Sequence, residues 1–189
     1  MDSTQYRASN LIVIADFYNI IFPQIKDARL VTSILERAET WTCGQPFLTC
    51  LIYRYVQQYS AQIVRAEGAG IVDEIVQQKI IKNWQHNDAA SHLNGIYQAL
   101  LSYPAQDILL ISYMQILWQQ TVPAALYRSS FAKVYDPTIP AQAVLLRSGL
   151  VTCVGGQLQV ANNIYAAVFS LAWLEQQIPG LTRAVKVVE

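Results

Sequence analysis

Two histidines, three cysteines and a few glycines are the residues with chemical potential in this chain of 189 residues. His86 and His92 are the histidines, and Asp88 stands four positions before His92, on the same face of any helix there. A metal site needs at least three protein ligands, and the sequence offers no third beside them. A capping aspartate and a surface histidine are the plainer reading. Cys43, Cys50 and Cys153 form an odd set without metal-ligand spacing. None has a histidine or basic residue close in sequence to activate a thiolate. They read as small buried side chains, suited to a reducing cytosol. Glu67-Gly68-Ala69-Gly70 is a lone Gly-x-Gly without a third glycine or a preceding strand, and reads as a turn. No G-x-x-x-x-G-K followed by Ser or Thr occurs, so a phosphate-cradling loop is absent from the sequence. The expectation is a chain that is not an enzyme and has no catalytic, cofactor-binding or metal residues.

Composition turns attention from chemistry to surfaces. Hydrophobic residues make up 53% of the chain and charged ones 14%, against about 25% charged in an average protein. So much apolar surface implies that part of it faces a partner or a neighbouring domain. The formal net charge is zero, which removes any broad attraction to nucleic acid or acidic lipid. The apolar run LIVIADFYNIIF (11–22) is shorter than the ~20 residues that cross a bilayer. It also lacks the basic flank and cleavage site of a signal peptide. The expected location is the cytoplasm, without a membrane span. The run suits a strand and turn or a short buried helix equally, and Pro23 ends it.

The elements that would position any site are mostly helices. Val31, Ile34, Leu35, Ala38 and Trp41 form one apolar stripe, which Gly44 stops. Pro46 suits the first position of the next helix, whose stripe is Leu48, Leu51, Ile52, Tyr55, Val56 and Tyr59. Val72, Ile75, Val76 and Ile80 mark a third helix running to about Trp84. Asn87 or Asp88 caps a fourth, with Leu93, Ile96, Tyr97, Leu100 and Leu101. Tyr103-Pro104 is the expected domain boundary, because a residue before proline avoids helix. Residues 107–120 are apolar nearly all round, as in a central buried helix. Residues 124–134 suit a further helix, Asp136-Pro137 and Ile139-Pro140 enclose a loop, and 141–148 suit another helix ended by Gly149.

The stretch 145–169 then changes period. Residues 150–154 and 157–160 are short runs ending in β-branched residues, joined by Gly155-Gly156, a pair that accepts positive φ at both turn positions. Leu158 and Val160 alternate with Gln157 and Gln159, giving one buried and one wet face. Asn162 or Asn163 caps a last helix carrying Ile164, Val168, Leu171 and Ala172, which Pro179-Gly180 stops. Helices followed by a hairpin and a helix have the order of a winged-helix domain; an ordinary hairpin in an α+β domain is the plainer alternative. The fold class is therefore mainly α with a small β-hairpin: a helical bundle followed by a winged-helix domain. The expected divisions are an apolar segment at 1–25, a helical subdomain at 26–103, a winged helix at 104–178 and a tail at 179–189.

Four segments carry a resemblance: WTCGQPFLTC (41–50), IVQQKIIKNWQHND (75–88), LLRSGLV (145–151) and LQVANNIYAAVF (158–169). They resemble, in the same order, a group of cyanobacterial AAA-like proteins of the STAND class, signal-transduction NTPases with numerous domains. The resemblance spans roughly residues 26–178. It implies a helical lid and a winged helix, which in that family follow a nucleotide-binding core and often precede β-propeller repeats. Departures from the pattern bear on function. Without a phosphate loop, the chain is expected to begin after the nucleotide-binding core. Gly44-Gln45-Pro46 matches the turn that opens the lid helix near the adenine, but Cys43 stands where the family usually has glycine. Asn163 replaces a usual arginine before the Ile-Tyr pair, and 124–140 looks longer and less regular than the family's connection.

The resemblance implies a regulatory or protein-interaction module, docking on a separate NTPase core or pairing with itself. A DNA-binding winged helix is the alternative, and an inactive remnant of a longer gene a third. DNA recognition needs cations for phosphates and polar groups for base edges. The helix 141–148 offers Arg147, the nearby chain Arg128 and Lys133, and the wing Gln157 and Gln159, with no Lys or Arg beside Gly155-Gly156. These five are the candidate contact positions for protein or DNA, and so few cations disfavour nucleic acid.

Overall fold

The computed structural model describes residues 22–63, 68–121 and 134–178, and these are mainly helical with one small antiparallel hairpin. The expectations for 1–21, 124–133 and the tail 179–189 lie outside the described residues. The described residues form eight α-helices: α1 (Ala28–Thr42), α2 (Pro46–Ile63), α3 (Gly68–Ile75), α4 (Ala90–Leu101), α5 (Gln106–Thr121), α6 (Pro140–Arg147), α7 (Asn163–Val168) and α8 (Leu171–Gln177). Strands β1 (Val151–Val154) and β2 (Gln157–Val160) lie between α6 and α7. The chain divides into two compact units between Lys82 and Asn83. Tyr103-Pro104 falls inside the second unit, between α4 and α5.

In the first unit, Asp27 caps α1, its Oδ1 accepting from the amides of Arg29 and Leu30 at 2.9 and 3.4 Å. Val31, Ile34 and Ala38 bury the predicted stripe, while Leu35 and Trp41 are part-exposed. The helix ends at Cys43 and Gly44, both left-handed (φ 46° and 75°). Gln45 Oε1 then accepts from the amide of Leu48 at 2.7 Å, and Pro46 opens α2. Gly44-Gln45-Pro46 is thus a helix stop, a cap and a helix start. On α2, Leu48, Leu51, Ile52 and Val56 are buried, and Phe22 packs edge-on against Tyr53 with centroids 5.5 Å apart.

Gly68–Gly70 corrects the expected turn: these residues are the first turn of α3. A Cβ on Gly68 would lie 2.7 Å from Leu30 Cδ1 and 2.9 Å from the Leu30 carbonyl oxygen, so the bare glycine is what lets α3 approach α1. Helix α3 does not run evenly to Trp84 either. It passes into a π-helical turn, Val76–Ile81, whose closing bond runs from the Lys82 amide to the Gln77 carbonyl at 3.0 Å. Left-handed Asn83 and a short 3-10 turn, Trp84–His86, follow.

The second unit is arranged about α5, which packs against α4, α6, α8 and β2. Leu109, Leu110, Tyr113, Met114, Ile116 and Leu117 are buried. Burial is not complete all round as expected: Ile108 is 60% and Ile111 36% exposed, a strip that these neighbours leave uncovered. The predicted last helix is two helices. Asn162 Oδ1 caps α7 through the Tyr165 amide at 2.9 Å. The backbone leaves helical geometry at Phe169, and Ser170 Oγ caps α8 through the Trp173 amide at 3.4 Å. A side-chain oxygen offered to the backbone inside a periodic run starts a new helix instead of extending the old one.

Candidate interaction surface

The hairpin is built from its turn outward. Gly155 (φ 57°) and Gly156 (φ 80°) both take left-handed conformations, which matches the turn to the twist of the strands. The register pairs Val151 with Val160, Thr152 with Gln159, Cys153 with Leu158 and Val154 with Gln157. Directly paired residues share a face, and successive residues alternate. Val151, Leu158 and Val160 are buried on the inner face. Thr152, Val154, Gln157 and Gln159 therefore share the outer face.

Hydrogen bonds on β2, at the base and at the tip fix the hairpin. The Val160 amide donates to Gln120 Oε1 of α5 at 3.0 Å. The Ala161 amide donates to the Leu150 carbonyl at 2.9 Å, closing the base. At the tip, the Tyr135 amide donates to the Gly156 carbonyl at 2.8 Å, and Val134 forms a bridge with Gln157. Val134 is accordingly an extended residue beside β2 and not the end of a helix. It extends the outer face to a row Val134, Gln157, Val154, in which Val134 is 62% and Val154 56% exposed. Tyr135 and Ile139 are exposed on the connection beside it. This connection is pinned by the Asp136 amide donating to Gln142 Oε1 at 2.8 Å, with Gln142 itself buried. The hydroxyl and amide of Thr138 donate to the Asp136 carboxylate at 2.6 and 2.8 Å and hold it below the usual carboxylate range.

Of the predicted contact positions, Gln157 is exposed and Gln159 part-exposed, both on this outer face. Arg147 is exposed in the last turn of α6, where a cation complements the helix C-terminus. Arg128 and Lys133 lie outside the described residues. Sequence reasoning missed Val154, although its alternation with Cys153 and its pairing across a two-residue turn place it beside Gln157. Val134 and Tyr135 gave no local signal, because their partner is the hairpin tip some twenty positions on.

The reactive residue types sit elsewhere. Cys43, Cys50 and Cys153 are free and exposed, which corrects the expectation of buried thiols. Cys43 lies at a helix terminus, Cys50 on the outward side of α2, and Cys153 on an edge strand. Burial and the nearby Glu39 carboxylate push the Cys43 thiol up, against nucleophilic use. No group of three or more His, Cys, Asp or Glu is assembled among the described residues. His92 corrects the expectation of a surface histidine. It is half-buried, with Nε2 2.6 Å from the Tyr165 hydroxyl and its ring stacked on that phenol at 5.9 Å. In the same unit Trp84, Tyr97, Phe169 and Trp173 form a chain of edge-on contacts with centroids 5.2 to 6.2 Å apart.

No family profile and no solved structure matches the chain. An uncharacterized WD repeat-containing protein of the cyanobacterium Synechocystis is 32% identical over 150 residues. That match takes in 77% of this chain but 12% of the relative, so the chain is similar to a small part of a much longer protein. No helix among the described residues is long and apolar enough to cross a membrane.

Proposed function

We infer that this chain is a non-catalytic regulatory module that works by binding protein, built like the lid and winged helix of a STAND NTPase. The observation that carries the reading is the outer face of the hairpin: exposed Val134, Val154 and Gln157, with no Lys or Arg on either strand. Uncharged amides beside exposed aliphatic groups suit a protein surface, whereas phosphate contacts need cations. The order α5, α6, β1, β2, α7 supports the winged-helix part of the reading. The WD-repeat relative supports it from another side. A WD repeat is a four-stranded blade, while this chain's described residues are mainly helical. The likeness therefore suits a module that accompanies blades.

A photoreactive residue at position 154 or 157, activated in the native host, tests the reading. Cross-links to a separate nucleotide-binding core or to a second copy support it. Submicromolar, salt-sensitive binding to duplex DNA at physiological ionic strength overturns it. The purified chain is expected neither to bind nor to hydrolyse ATP, and micromolar ATP binding by calorimetry would remove the non-catalytic part. Association through apolar contacts is expected to persist at high salt, which screens ion pairs and leaves apolar contacts intact.

A further inference from the structure

We propose that the uncovered strip of α5 pairs two copies of this chain, with α5 lying antiparallel against α5. The helix has sixteen residues and a single charged side chain, Asp107 in its first turn. Ile108, Ile111, Gln115 and Trp118 recur at intervals of three, four and three, and fall within about 80° of its circumference. That spacing is the one that seats one helix against another. Ile108 and Ile111 are exposed in the folded chain, and Gln115 and Trp118 are part-exposed. The buried residues of α5 lie on the opposite side, where α4, α6, α8 and β2 pack. The strip is not the hairpin surface, because Gln120, which holds β2, projects from the far side of α5.

Charge identifies the occupant. Helix α5 holds no Lys or Arg, so the strip offers no cation to acidic lipid or nucleic acid. A protein that covers it must present a strip equally apolar and uncharged, and α5 of a second copy does. The same charges fix the orientation. Antiparallel, the two helix macrodipoles compensate. The Asp107 carboxylates then stand about 18 Å apart along the helix, beyond the Debye length of ~8 Å at physiological ionic strength. Parallel, they would meet side by side with the dipoles opposed.

A two-fold axis between Ile111 and Gln115 sets Ile108 opposite Trp118 of the second copy, and Ile111 opposite its Gln115. A polar residue in such a seam favours one register over its neighbours. The contact is isologous, so it uses up the strip and stops at two copies. Three helical turns bury less than the ~1,600 Å² of a standard interface, which makes the pair weak, on the order of tens of micromolar.

The test is sedimentation velocity of the full chain from roughly 5 to 200 micromolar. The sedimentation coefficient is expected to rise with concentration towards that of a dimer, at high salt as well. Ile108→Glu and Ile111→Glu change exposed positions, so each should keep the wild-type circular dichroism while weakening association about tenfold or more. Mixing Ile111→Cys with Gln115→Cys protein should give a disulfide between 111 and 115 in preference to 111 with 111, read by peptide mass mapping. A wild-type chain that stays monomeric throughout overturns the pairing, a result that needs no folded variant. So does a dimer that both glutamate variants leave intact. If Val154→Glu abolishes that dimer instead, the hairpin joins the copies, and the protein-binding reading of its outer face survives while the α5 pair does not.

Discussion

Helices α1 and α3 are joined through a missing side chain, whereas the second unit is joined through large ones. At Gly68 the closest atoms to a would-be Cβ belong to Leu30 and Ile34, and one of them is a backbone oxygen. A polar clasp completes that contact. Arg37 Nε and a terminal nitrogen donate to the two carboxylate oxygens of Asp73 at 2.6 and 3.0 Å, and Trp41 Nε1 donates to Asp73 at 2.7 Å. On α5, by contrast, buried Leu, Ile, Met and Tyr side chains fill the space, and the same unit holds the aromatic contacts of Trp84, Tyr97, Phe169 and Trp173. The first contact therefore tolerates little added volume and the second little removed volume.

Removing volume from the second unit should have the largest effect. Leu110 is fully buried, so Leu110→Ala is expected to cost about 2–5 kcal/mol, the range for truncating a buried aliphatic residue. Ile111→Ala, on the uncovered strip, should cost less than about 1 kcal/mol. Denaturant midpoints of the two variants measure the contrast, and equal losses would mean the strip is covered in solution.

Adding volume to the first unit comes next. Alanine favours helix over glycine by roughly 0.5–1 kcal/mol, so on propensity alone Gly68→Ala should stabilise. The clash with the Leu30 carbonyl should reverse the sign and leave a net loss of about 1–3 kcal/mol, as overpacking does. A gain in thermal midpoint would mean that α1 and α3 part without cost to admit the methyl group.

A cap sits between these extremes. Ser170→Ala removes the acceptor for the Trp173 amide and should cost about 1 kcal/mol. If circular dichroism showed helix gained at that cost, α7 and α8 would have fused.

The polar clasp should matter least. Burial pushes the Asp73 carboxyl up, but the hydrogen bonds from Arg37 and Trp41 outweigh it and leave the group below its ordinary value. A depressed carboxylate adds stability above its unfolded pKa and loses it as pH falls through the folded value. Both side chains are 37% exposed, so screening limits the pair, and Asp73→Asn should cost less than about 1 kcal/mol at neutral pH. The same variant should flatten the acid limb of the stability curve, which acid titration of the unfolding midpoint would reveal.

These contrasts also explain what was legible in the sequence. Large residues announce their burial by spacing: Val31, Ile34, Ala38, Leu48, Ile52 and Val56 are buried as read. The hairpin was equally plain, because Gly155-Gly156 and the alternation of Leu158 and Val160 are local signals. Gly68 was misread because a glycine that permits close approach and a glycine that permits a turn look alike until the neighbour is known. The break at Ser170 was hidden by side chains that keep helical spacing across it. The exposed cysteines were misjudged from their residue type, since a helix cap, an outward face and an edge strand are matters of geometry. On the candidate surface, Gln157 and Gln159 were legible from alternation, while Val134 reached it through a contact with a distant turn.

The π-helical turn between Val76 and Ile81 has a consequence for changes in chain length. It holds one more residue per turn than an α-helix would, so the chain there carries slack of a single residue. Ile80 is fully buried and Ile81 follows it directly, less covered. Loss of Gln78 would tighten the turn to α-helical winding and bring Ile81 into the place of Ile80. The core would keep an isoleucine in either winding, and a one-residue deletion is absorbed here that elsewhere in α3 would turn a buried side chain outward by about 100°.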